Sequence, residues 1–159
     1  PSFAGKYCPG LEPVLELKTR ILRVETHAKE LNGYQSNNIL HGRRKIAVLP
    51  FGYGDIPYYL LVKEGQVLIR GARCPVIGKV CMCHVLVDIS NLPEVGVGDE
   101  VVIIGRQGSE IIRCEELAKK AGLSVLNCES ICFLDRNVRR KYSETAKMQM
   151  VKSEERITK

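Results

Sequence analysis

Gln66-Val67-Leu68-Ile69-Arg70-Gly71-Ala72-Arg73-Cys74-Pro75-Val76-Ile77 is the stretch that decides the fold. Two apolar runs, Gln66 to Arg70 and Arg73 to Ile77, flank Gly71. Glycine accepts the positive φ that a tight hairpin turn demands, so the stretch reads as two antiparallel strands. Downstream, Gly78 to Ile89 reads as another strongly apolar strand with Asp88 near its end. Val97-Gly98-Asp99 is a turn into a strand from Glu100 to Ile104, which Gly105 closes. One helix is expected, over Ser109 to Ala121. Leu117 and Ala118 share a side with Ile111 or Cys114, charges lie opposite, and Gly122 stops the helix. Leu123 to Leu134 returns to extended structure.

Upstream, Lys45 to Pro50 is a nearly continuous apolar strand and Phe51 to Tyr59 a Gly- and Tyr-rich connection. Asn32 to Arg44 is polar and Gly-containing, as a loop or wide hairpin would be. Pro13 to His27 alternates polar and apolar residues as a long first strand. Ile21, Leu22 and Val24 shift its phase, as a bulge or strong twist would. Many short strands with one late helix predict a mainly β fold, a closed or nearly closed Greek-key-like β-barrel.

The 159 residues suffice for one domain with a real core. No apolar run approaches the roughly 20 residues of a membrane helix, and no signal peptide is visible. The chain starts at Pro1 without Met, as a piece of a longer protein would. Of the net charge of +6, four units fall between Asp135 and Lys159, which hold eight basic and four acidic residues. The domain is expected over residues 1–142, and a basic, frayed tail over 143–159. Such a tail suits nucleic acid or an anionic membrane. The strands, however, carry no aromatic stacking platform and no Lys/Arg stripe, which argues against nucleic acid.

Seven cysteines at irregular spacing give no disulfide framework and no zinc ribbon. They fit free thiols in a reducing, cytoplasmic setting. Cys81, Cys83 and His84 lie close in sequence. An alternating strand would put the two thiols on one face and the imidazole on the other, so no metal site is expected. The three histidines are scattered, and no phosphate loop or nucleophile elbow exists. Two features remain: Tyr34 after Gly33 in a polar loop, and Arg73 to Cys83, where a strand stops at Gly78 and restarts.

Taken in order, Leu11 to Arg20, Gly33-Tyr34, Ile46 to Asp55, Val67 to Gly71, Pro75 to Met82, Val97 to Gly105 and Glu115 to Ala118 resemble the C-terminal domain of the alanine racemase family. Members are pyridoxal-phosphate enzymes that interconvert amino-acid enantiomers. The resemblance runs from about Cys8 to Tyr142 and covers the family's second domain only. It implies that a preceding α/β barrel holds pyridoxal 5'-phosphate on a lysine. It further implies that the β domain completes the partner subunit's site in a head-to-tail homodimer acting on a small amino acid. This piece alone would then be inactive and bind no cofactor.

The resemblance makes Tyr34 the catalytic base, Met82 a backbone ligand of the substrate carboxylate, and Tyr53 a residue of the narrow substrate entrance. Arg136 falls where many members place a tyrosine touching the cofactor phosphate. The chain departs from the family in three places. Gln35 replaces a glycine, Cys83 replaces an aspartate, and Ile56-Pro57-Tyr58 is one residue short and lacks an arginine. Arg136 and the Ile-Pro pair look more like the serine/alanine racemases linked to vancomycin resistance, in which case the full-length protein could be membrane-anchored. The alternative function is a non-catalytic β-barrel module for dimerisation or nucleic-acid binding.

Overall fold

The computed structural model describes residues 13–27, 42–57, 61, 65–122, 134–135 and 138–142. Eight strands and one helix lie among them: β1 Leu17–Arg20, β2 Arg23–His27, β3 Arg44–Leu49, β4 Gln66–Ile69, β5 Ala72–Ile77, β6 Val85–Asp88, β7 Glu100–Gln107, β8 Glu110–Ile112 and α1 Cys114–Lys120. Every pairing is antiparallel, in the order β1-β7-β4-β5-β6-β3-β2, with β8 on β7.

The hairpin at Gly71 is present. Ile69 faces Ala72, and Arg70 and Gly71 make the turn at φ 50° and 78°. Two central residues with positive φ match the twist of the flanking strands. Strand β7 returns beside β4 after the β4-β5-β6 meander, which is a Greek key.

Two strands serve two sheets each. Ala72 to Pro75 of β5 pair with β4, whereas Val76 and Ile77 pair with β6. Pro75 has no N–H to donate and stands at the hand-over. The second such strand is the first extended segment. Its front half, β1, pairs with β7, and its rear half, β2, pairs with β3. Only Ile21 and Leu22 separate the halves. Ile21 exchanges backbone hydrogen bonds with the Gly98–Asp99 corner (Ile21 N to Asp99 O 3.0 Å, Gly98 N to Ile21 O 2.9 Å), and Leu22 N donates to Val48 O at 2.9 Å. The two ends of the ladder are therefore joined by the chain itself rather than by a rung. Corners made by strands that switch sheets close such barrels.

The core follows from the apolar runs. Val67, Leu68 and Ile69 of β4 and Val101 to Ile104 of β7 are all buried, so both faces of these central strands are covered. Ala47, Leu49, Val85 and Val87 line the second sheet, and Ile112 and Leu117 join the same cluster.

Three expectations need correction. The helix starts at Cys114, not Ser109. Gly108 (φ 61°) and Ser109 turn β7 into β8, and the branched Ile111-Ile112 pair with Arg106 and Gly105 as strand. Strand β7 runs through Gly105, whose φ of 125° makes an irregular step rather than an end. Gly78 to Ile89 is not one strand, because only Val85–Asp88 pairs and residues 78–84 form a turn-bearing loop. The loop at 32–41, the return at 123–133 and the tail at 143–159 lie outside the described residues.

Candidate active site

Two loops meet at one end of the barrel. Residues 51–57 leave β3, anchored by the buried side chains of Phe51 and Ile56. Residues 78–84 lead into β6, anchored by Val80 and Val85. Their tips are laced through the backbone: Tyr53 N donates to Cys81 O at 3.1 Å, and Gly54 N to Met82 O at 2.9 Å. The approach is so close that a Cβ on Gly52 would overlap the carbonyl oxygens of Cys81 and Met82. One on Gly54 would stand 3.0 Å from Met82 O. Here glycine is required by space rather than by φ.

The first loop is closed on itself. Gly52 N donates to Asp55 Oδ2 at 2.9 Å, while Asp55 N and Ile56 N donate to Gly52 O at 3.0 and 3.2 Å. The second is closed by Cys81 N to His84 O at 3.1 Å, which leaves Met82 and Cys83 at its tip. A third segment joins them, with Asp135 N donating to Asp55 O at 3.0 Å. Arg140 holds that segment by donating from Nη2 to Leu134 O at 3.1 Å and from Nη1 to Val138 O at 3.4 Å.

The chemical result is a directed donor. Cys81 C=O and Met82 N–H belong to one trans peptide plane and point in opposite directions. Fixing the carbonyl on Tyr53 N–H therefore aims the Met82 N–H away from the 52–55 loop. Among the described residues nothing accepts that N–H. Met82 is 60% exposed and Tyr53 49% exposed, side by side at the tip. An exposed, immobilised amide N–H is a ready partner for an anion such as a carboxylate.

The structure thus brings Met82 and Tyr53 together. Tyr34 and Arg136 lie outside the described residues. Among the described residues no three metal-ligating side chains cluster. The strand geometry that separated Cys81 and Cys83 from His84 does not exist, however, since all three sit in a turn, where Cys83 Sγ lies 3.2 Å from His84 Nδ1. Cys74, Cys81, Cys83 and Cys114 are in no disulfide. Burial, and then the charge of Asp88, push the Cys74 thiol up to about 11.

Two residues escaped the sequence reading. Asp55, three after Gly52, was legible as a turn-closing carboxylate. Arg73 had no local signal. Its guanidinium reaches Glu116 (Nη1 to Oε1 2.6 Å, Nη2 to Oε2 3.2 Å), Glu110 (Nε to Oε2 2.8 Å), Gln66 Oε1 at 3.2 Å and Ile111 O at 2.6 Å. It locks β8 and α1 onto the central hairpin.

The fold is a Greek-key, barrel-like β domain that sets an aimed backbone donor beside an exposed tyrosine. Comparison with known proteins gives its family. The chain matches the family described as "Alanine racemase, C-terminal domain" over residues 14–142, and belongs to it. It is 39% identical over 133 residues to the alanine racemase of Halothermothrix orenii, covering 83% of this chain and 35% of that one. It is 43% identical over 138 residues to the alanine racemase of Symbiobacterium thermophilum, covering 86% and 36%. Among solved structures, the alanine racemase of Bacillus anthracis with bound L-Ala-P superposes with a TM-score of 0.77 at 28% identity, covering 92% of this chain and 37% of that one. The chain therefore spans about a third of the length of these relatives.

Proposed function

We propose that the complete protein carrying this chain is a pyridoxal-phosphate-dependent racemase of a small amino acid, alanine or serine. In this reading the β domain completes the partner subunit's site in a head-to-tail homodimer. The observation that carries it is the Met82 peptide, whose carbonyl flank is pinned and whose N–H is left for a ligand, in a chain of the alanine racemase C-terminal family.

The pyridoxal group, when bound by the missing barrel, withdraws electrons from the amino acid and acidifies its Cα–H. This chain's residues do the rest of their share without it. The Met82 N–H holds the substrate carboxylate and so fixes which way Cα faces. Tyr53 narrows the entrance. Tyr34 removes or returns the Cα proton on the face of the L enantiomer. Its phenol has a free pKa of about 10, so a neighbouring cation must lower it for work near neutrality. Arg136 meets the cofactor phosphate, a pairing its forked guanidinium fits in charge and geometry. What supports this is the preceding residue, Asp135, whose backbone N–H donates to Asp55 O at 3.0 Å.

Among the described residues no helix is long and apolar enough to cross a membrane. We place the protein in the cytoplasm, where free thiols persist. The test is direct. The complete protein, supplied with pyridoxal phosphate, is expected to convert L-alanine or L-serine to its racemate, followed by chiral chromatography. Neither substrate turning over would refute the reading.

A further inference from the structure

We propose that Asp55 is a positioning residue, whose carboxylate sets the direction in which the Met82 N–H meets the substrate carboxylate. The inference rests on the racemase reading of Met82. It is carried by an unbroken chain of contacts. Asp55 Oδ2 accepts Gly52 N–H at 2.9 Å, and Gly52 O accepts Asp55 N–H and Ile56 N–H at 3.0 and 3.2 Å, so the turn is latched from both ends. That latch presents Tyr53 N–H and Gly54 N–H to the carbonyls of Cys81 and Met82 at 3.1 and 2.9 Å. Because the Cys81–Met82 peptide is planar, an error in its carbonyl direction is an equal error in the Met82 N–H direction.

The same residue registers a third segment. Its backbone carbonyl accepts Asp135 N–H at 3.0 Å, one residue before Arg136. Asp55 thus joins the loop that would hold the substrate carboxylate to the segment that would reach the cofactor phosphate. It touches neither ligand and acts through the turn. Its requirement is an acceptor oxygen at the carboxylate position, not a negative charge. Asparagine should therefore replace it and alanine should not.

The experiment uses the complete protein with cofactor. Asp55→Ala is expected to raise KM for the amino acid about 10-fold while kcat stays within about 3-fold, the signature of lost substrate binding. Asp55→Asn should keep KM within about 3-fold of the parent. Amide hydrogen exchange supplies a readout independent of turnover. In Asp55→Ala, exchange at Tyr53 and Gly54 should rise about 100-fold as the latch opens, and exchange at Val87 and Val101 should not change. An alanine variant with parental KM, an asparagine variant as impaired as alanine, or faster exchange at Val87 and Val101 as well would each overturn the proposal. A parent with no racemase activity refutes the racemase reading instead, and the exchange measurement then decides alone whether Asp55 holds the turn.

Discussion

The corner around Arg73 and the paired loops at Gly52 and Met82 are held in opposite ways. At the corner, one guanidinium gathers two carboxylates, an amide and a carbonyl, and Lys120 Nζ adds a bond to Gln66 and one to Glu116, so the joint is made by side chains. At the loops, backbone N–H groups meet backbone carbonyls, and the Asp55 carboxylate closes the first turn. A side-chain joint is specific about residue identity and sensitive to pH. A backbone joint is indifferent to most side chains but intolerant of any Cβ that separates the strands. This explains how Cys83 can stand where the family resemblance implies an aspartate without dismantling the site, since Cys83 contributes nothing to the lacing.

The largest expected effect breaks the backbone joint. Gly52→Ala places a methyl group inside two carbonyl oxygens, and should cost about 3 kcal/mol as an overpacking change, read from urea unfolding. Its counterpart, Met82→Leu, changes only an exposed side chain and should shift stability by less than about 0.5 kcal/mol. Equal effects of the two would end the distinction.

The next effect breaks the side-chain joint. Arg73→Met takes the guanidinium from Glu110 and leaves Glu116 paired with Lys120 Nζ at 3.3 Å, and should cost about 1–2 kcal/mol at pH 7. The lower part of the range applies because Arg73 and Glu116 are 30% exposed and Glu110 41%, so water screens them. The hydrogen bond from Arg73 holds the Glu116 carboxyl below its ordinary range. A depressed folded pKa stabilises above the unfolded value of about 4.3 and loses that contribution as pH falls through the folded value. The gap between parent and Arg73→Met should therefore narrow below about pH 4. A gap that stays constant with pH would mean that packing, not charge, holds the corner.

Local pattern carried most of the fold. The Gly71 hairpin, the β3 run and the phase shift at Ile21 and Leu22 each have a cause within a few residues, and each matches the structure. The misreadings came where two patterns overlap or where the cause is distant. Ile111-Ile112 satisfies both a helical stripe and a short strand, and the turn at Gly108 decides between them. Val80 and Met82 mimic strand alternation, but residues 81–84 turn because Tyr53 and Gly54, some 30 positions earlier in the sequence, bind their carbonyls. No window along the chain contains that partner. Asp55 was readable as a turn carboxylate, whereas its consequence for Met82 needed the fold.

The central claim is that this chain lends Tyr34 to a racemase as the base on the L face, and isotope wash-in at Cα tests it most directly. Tyr34→Phe removes one hydroxyl and little volume. In the complete protein with cofactor in heavy water, exchange at Cα of the L enantiomer should fall by about 100- to 10,000-fold, the cost of losing a general base. Exchange of the D enantiomer, which in the proposed reading has its own base on the opposite face, should fall far less. Parental exchange rates for both enantiomers would contradict the account.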